Sequence, residues 1–299
     1  MEIDVPLVLA RWVHFLCLMI VFGASLFPFY ALRTAAKPES LCAASNRALR
    51  VSAYLALVSA IAWVASSLAI MVGGFDETLD RDALAAFFLQ TSFGPIWIVR
   101  FAILLTLAVV VSWRPRPALS AFLSGAALAS QAWLGHAAMR TGIELASELL
   151  AYMVHVLAAG AWIGGLLPLA SLLAGRGSRP KDITESECRE VLRRFSSIGV
   201  AVVSLILLSG IANSVFRLKY ASDLFTTPYG LVIVAKASLF ALMLIAAAVN
   251  RWRLVPRLVD SDKEEATLHA LRRNILIEQG LGILVLGLAA LLGTMAPRM

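Results

Sequence analysis

Long runs of Leu, Ala, Val, Ile and Phe alternate with short polar stretches along this chain. Eight apolar runs cover about 6–32, 49–72, 93–112, 118–138, 148–174, 195–216, 229–250 and 275–296. A helix rises about 1.5 Å per residue, so about 20 residues cross about 30 Å of hydrocarbon. Every run has that length. All are continuously apolar, whereas barrel strands would alternate over about ten residues. Lipid offers no partner to an unpaired backbone group, so the runs are helices. The pattern predicts an all-α integral membrane protein with eight transmembrane helices. No polar stretch between them is long enough for a soluble domain, so 1–299 reads as one membrane domain.

Composition sharpens the picture. Of 299 residues, 60% are hydrophobic and only 15% charged. A soluble domain averages about 25% charged. That excludes a secreted disulfide scaffold, a disordered chain and an ordinary soluble enzyme. The first run is not expected to be cleaved. Its leader carries Glu2 and Asp4 and no basic residue before Arg11, and the run is too long for a signal.

Charge placement gives an orientation. With the N-terminus outside, the inner connections are 33–50, 113–117, 175–194 and 251–273. They hold 18 of the 26 Lys and Arg residues, and excess basic charge marks the cytoplasmic side. Both termini are therefore expected outside. The outer loop 74–92 is acidic, with Asp76, Glu77, Asp80 and Asp82. The net charge of +7 is thus an orientation signal, and no nucleic-acid partner is expected. Cys17, Cys42 and Cys188 form no CxxC and no outer pair, so no disulfide is expected.

The eight runs divide into two tandem parallel four-helix repeats, about 1–140 and 141–299. Val13-His14-Phe15-Leu16 and Gly23 in the first run correspond to Val154-His155-Val156-Leu157 and Gly164 in the fifth. Phe93-Gly94 followed by Arg100 corresponds to Tyr229-Gly230 followed by Lys236. Leu134-Gly135-His136 corresponds to Leu292-Gly293-Thr294. Runs two and six match faintly, at Arg50-Val51-Ser52 and Arg194-Phe195-Ser196. Four helices per half gives both halves one orientation, about a pseudo-twofold axis along the membrane normal.

Ionisable groups inside a membrane are costly and by default mark function. His14, His136 and His155 all fall in the outer half. Methionines Met139 and Met153 lie near the same helix ends, and Cys17 is one turn from His14. Imidazole and thioether together suit copper, whereas a hard cation would want clustered carboxylates. The candidate metal ligands are therefore His14, His136, His155, Met139 and Met153. Any one of these histidines also has a plain packing role open to it. Glu148 shares a face with Tyr152 and His155. Arg100 and Lys236 are read as structural, snorkelling or pairing with Glu148, with an anionic co-ligand as the alternative. Glu278 is read as a partner of Arg272 or Arg273, or as a proton relay. Arg11 and Trp12 are read as interface anchors, and Asn213 as a bond between helices. Gly160 and Gly164 form a GxxxG spacing that permits close helix packing. No phosphate-binding glycine loop, GxSxG elbow or HExxH occurs, so the chain is not expected to be an enzyme.

Several stretches carry a family resemblance. They run from Arg194-Phe195-Ser196 to Ser209-Gly210, then Thr227-Pro228-Tyr229-Gly230, Lys236, and Asn250-Arg251-Trp252-Arg253-Leu254-Val255-Pro256. With His14, Trp133-Leu134-Gly135-His136 and His155 followed by Trp162-Ile163-Gly164-Gly165, the chain resembles the copper resistance protein D (CopD) family over essentially its whole length. The resemblance implies an inner-membrane copper homeostasis protein moving copper from periplasm to cytoplasm, beside a separate periplasmic copper chaperone of the CopC type. Two other readings stay open: a membrane redox protein holding b-type haem, and a non-transporting scaffold docking such a chaperone through loop 74–92.

Overall fold

The computed structural model describes residues 4–32, 39–114, 116–134, 142–173, 184–258 and 264–296. Its helices are α1 (Val5–Tyr30), α2 (Glu39–Val72), α3 (Arg81–Ala85), α4 (Gly94–Trp113), α5 (Pro117–Ala129), α6 (Gly142–Leu172), α7 (Glu185–Arg217), α8 (Asp223–Thr226), α9 (Pro228–Val249), α10 (Val255–Arg257) and α11 (Glu264–Leu292). Two π-helical turns, Ala86–Gln90 and Asn250–Leu254, and a 3-10 turn, Ser130–Leu134, join them.

Among the described residues, seven helices are long and apolar enough to cross a membrane: α1, α2, α4, α6, α7, α9 and α11. The expected fourth span, 118–138, differs from the other seven. Its α-helical part, α5, has 13 residues and gives way to the 3-10 turn at Ser130. Thirteen residues rise only about 20 Å. Its inward face carries Ser120, Ser124 and Gly125 with Ala121, Ala127 and Leu128, and residues 135–138 of the run lie outside the described residues.

Helices α2, α7 and α11 overrun their apolar runs by about ten residues at one end. That end carries Arg47, Arg50, Arg193, Arg194, Arg272 and Arg273. The α7 overrun is held by a capping box. Thr184 Oγ1 accepts from the Glu187 amide at 3.3 Å, and Glu187 Oε2 accepts from the Thr184 amide at 2.8 Å. At its opposite end the bundle begins with Asp4, whose carboxylate caps α1 by accepting from Leu7 N at 2.8 Å.

Helix α1 is the centre, packed by α2, α5, α6 and α11. Lipid tails are as apolar as leucine, so small residues decide which helices approach closely. On α2 the stripe Ala53, Ala56, Ala60 is fully buried, while Leu55, Val58 and Ile61 face outward. On α1 and α6 the contact is tighter. A Cβ on Gly23 would collide with the Gly160 carbonyl, and one on Gly164 with the Met19 carbonyl. The two backbones touch there.

Candidate functional site

Nine residues into α1, His14 is wholly buried. Its Nδ1 lies 2.9 Å from the Ala56 carbonyl oxygen and 3.3 Å from Ser59 Oγ, both on α2. Its Nε2 lies 2.7 Å from Arg100 Nη2 on α4. A guanidinium only donates, so Nε2 supplies the lone pair and Nδ1 carries the proton, donated to Ala56. His14 is neutral in this network, and neither ring nitrogen is open.

Arg100 is as buried as His14. Its Nη1 donates to the Ala127 carbonyl and to Ser130 Oγ, both at 2.6 Å. Its guanidinium carbon is 5.0 Å from the Trp97 ring centroid. Trp63 stands edge-on to His14 at 5.7 Å and to Trp97 at 5.2 Å, and carries the Arg11 guanidinium at 4.4 Å. Ring faces and carbonyl dipoles thus replace the carboxylate that a buried cation otherwise requires.

The same imidazole arrangement occurs a second time. His155 on α6 has Nδ1 at 3.2 Å from the Ile206 carbonyl and 3.1 Å from Ser209 Oγ, on α7. In both places a carbonyl and a serine three residues later, on the following helix, fix Nδ1. Lys236 stands within Coulombic reach of His155. Here the cation makes no hydrogen bond to the ring, and His155 Nε2 has no hydrogen-bond partner among the described residues.

The two cations are delivered alike. Thr91 Oγ1 donates to Phe87 O at 2.6 Å and accepts from Gly94 N at 3.1 Å. Thr227 Oγ1 donates to Asp223 O at 2.7 Å and accepts from Gly230 N at 3.0 Å. A Cβ on Gly94 would strike the Phe88 carbonyl, and one on Gly230 the Asp223 carbonyl. Each glycine lets its helix start tuck under the preceding short turn, and the cation follows six residues later. The glycines at the α1–α6 crossing repeat this correspondence. Gly23 meets Gly160, Gly164 meets Met19, and each partner sits four residues before the other glycine. That reciprocity is the form of a twofold contact.

Two further polar groups are buried. Glu148 accepts from Arg217 at 3.0 Å to Nε and 2.9 Å to Nη2. Glu278 accepts from Asn250 Nδ2 at 2.7 Å, and Asn250 Oδ1 accepts from Asn274 at 3.0 Å.

Of the predicted site residues, His14, His155 and Met153 lie among the described residues. His14 and His155 stand on the two helices that cross at the glycines. Met153 is two residues from His155, about 200° round the helix, and packs with Ala132 and Leu149 instead. His136 and Met139 lie outside the described residues. Among the described residues no three of His, Cys, Asp and Glu gather as a metal-binding group.

Other expectations are corrected. Arg11 stacks over Trp63, and Trp12 Nε1 donates to the Ile283 carbonyl at 2.9 Å, so both residues expected as interface anchors also tie helices together. Glu148 pairs with Arg217, not with Arg100 or Lys236. Glu278 is bonded to Asn250 rather than to Arg272 or Arg273. Asn213 does bridge helices, donating to the Ala151 carbonyl at 3.3 Å. Ser59, Thr91 and Arg217 were not singled out in the sequence, and Ser209 and Thr227 entered only as part of the family resemblance. The Thr-x-x-Gly spacing before each intramembrane cation was the available signal.

Long apolar helices around a few buried, mutually bonded ionisable groups define a multi-pass helical membrane protein. Comparison with known proteins places it further. Residues 1–147 match the family model described as copper resistance protein D-like, N-terminal domain, and residues 189–292 that described as copper resistance protein D. Copper resistance protein D of Pseudomonas syringae pv. tomato is 31% identical, over 98% of both chains. Inner membrane protein YebZ of Escherichia coli (strain K12) is 30% identical, over 96% of this chain and 97% of its own. Copper transport protein CutJ of Bacillus subtilis (strain 168) is 30% identical, over 60% of this chain and 34% of its own. The chain belongs to the copper resistance protein D family. No solved structure matches it.

Proposed function

We propose that this protein serves copper homeostasis in the bacterial inner membrane, taking copper from the periplasm and passing it towards the cytoplasm. Near full-length likeness to a relative named for copper resistance supplies the metal. The observation that carries the site is His155, a half-buried imidazole fixed at Nδ1 whose Nε2 is left open for a soft cation. The end of the bundle at Asp4 is periplasmic, and the basic helix overruns are cytoplasmic. The chain crosses eight times, with α5 and the turn Ser130–Leu134 in the fourth crossing. Its halves are tandem repeats about a twofold axis at the Gly23–Gly164 contact.

In this reading His136, Met139 and Met153 capture copper at the periplasmic mouth and pass it to His155. His14 joins the path only when Arg100 releases Nε2. A copper chaperone of the CopC type, a separate protein, delivers the cargo to the acidic loop 74–92.

The test is copper accumulation in cells expressing His155→Ala or His14→Ala at equal membrane abundance. Accumulation in His155→Ala falls to the level of cells lacking the protein, and His14→Ala is also impaired. Wild-type accumulation in both variants would overturn the site.

A further inference from the structure

A second polar site lies at the other end of the same helices. On α9 and the π turn that extends it, residues 236, 240, 243, 247 and 250 recur at helical spacing and share one face. That face starts at Lys236, beside His155, and ends at Asn250, beside Glu278. Between them, Phe240 meets Trp162 of α6 edge-on at 5.8 Å. The buried Met243 stands against Gly282, one turn beyond Glu278 on α11, where a Cβ would sit 3.6 Å from its Cε. The α6/α9/α11 seam therefore joins His155 to Glu278 through small and polarisable surface. Fourteen residues separate its two levels, about 21 Å.

Glu278 is 2% exposed. Asn250 donates to it from the π turn, and Trp162 from α6. Asn274, on its own helix, orients the Asn250 amide. The charged groups of the surrounding elements are turned elsewhere. Arg251 donates to Ser196 at 2.6 Å, Arg257 and Arg273 are exposed, and Arg11 of α1 lies at the opposite end against Gly293. None of these, nor Arg272, forms an ion pair or hydrogen bond with Glu278 among the described residues. An ionised carboxylate with no cation in a hydrocarbon layer is costly, whereas a carboxylic acid accepting two hydrogen bonds is not. A π turn that presents a side chain to a buried ionisable group is a recurrent mark of a working site.

We propose that Glu278 is a proton-binding site at the inner end of this seam, exchanging its proton as the cargo cation moves. The proposal rests on the transport reading. Protonated, the carboxyl is neutral and holds the seam closed to charge. When a cation advances from His155, the proton leaves for water at the cytoplasmic end, and the carboxylate left behind balances the cation. Once the cation has gone, one proton returns along the seam from the periplasmic side, so each cation that enters is accompanied by one proton released inside.

The experiment uses the full chain in liposomes enclosing a pH-sensitive dye, with cuprous ion as the cargo outside. Wild type shows copper entry with a coupled proton signal. Glu278→Gln, which keeps the hydrogen-bonded shape, loses the proton signal. A proton signal unchanged in Glu278→Gln, or copper entry in wild type without one, overturns the proposal. Infrared spectra supply an arm independent of transport. Wild type at neutral pH carries a buried carboxylic-acid carbonyl band that is missing in Glu278→Gln. A spectrum without that difference also overturns the proposal. Absence of copper entry with the band present would sink the transport reading alone and leave Glu278 as a proton site.

Discussion

Replacing Gly164 by alanine puts one methyl group into the α1–α6 crossing. Its Cβ would fall on the Met19 carbonyl oxygen and 2.9 Å from the Gly23 Cα. Both obstacles are backbone, so no side chain can swing aside and the helices must part. Overpacking a tight contact costs about 1–3 kcal/mol, and a backbone obstacle belongs at the upper end. Alanine returns about 0.5–1 kcal/mol through its better helix propensity. The net loss is about 2 kcal/mol, which at roughly 2–4 °C per kcal/mol lowers the melting temperature by about 4–8 °C. Gly280→Ala is the control, because nothing lies within 4 Å of a Cβ there. It should gain about 0.5–1 kcal/mol from propensity alone. The assay is thermal unfolding of both variants in one detergent. A Gly164→Ala protein melting at or above wild type would refute the close backbone contact.

Arg217→Met strips Glu148 of its bidentate partner. Breaking a buried pair costs about 3–5 kcal/mol, and with Arg217 partly exposed the lower figure applies, read in the same melt. Arg100→Gln leaves His14 Nε2, the Ala127 carbonyl and Ser130 short of a charged donor, a loss of about 3 kcal/mol. Arg100→Lys is not expected to restore it, because one ammonium cannot reproduce the fork; recovery of the wild-type melt by lysine would contradict the cage. The absorption spectrum of the purified protein should lack a Soret band. A band lost on removing His14 and His155 together would replace copper by haem.

How much of this was visible in the sequence follows from what each feature depends on. Apolar run length depends on one segment at a time, so seven of the eight expected spans reappear as long helices. The fourth run, 118–138, is described only as far as Leu134, as α5 and a 3-10 turn. His14 and His155 were recognisable because a histidine in an apolar run is rare. Their tautomer was not, since it depends on Ala56, Ser59 and Arg100, which are 42 to 86 residues away along the chain. The faint match at Arg50 and Arg194 pairs α2 with α7, and these two helices hold His14 and His155 in the same way. That correspondence is set by Ser59 and Ser209, two serines unremarkable in themselves. Arg217 was overlooked because a basic residue at a helix end reads as a charge in water. Its partner Glu148 is 69 residues away.

The central claim is that copper binds the open nitrogen of His155. The most direct measurement is the copper content of the purified full-length chain after equilibration with cuprous ion and dialysis. It compares wild type, His155→Ala and His269→Ala, the last an exposed histidine on α11 beyond the Glu278 end of the seam. Bound copper is expected in wild type and His269→Ala and is expected to be lost in His155→Ala. Wild-type copper content in a folded His155→Ala protein would contradict it.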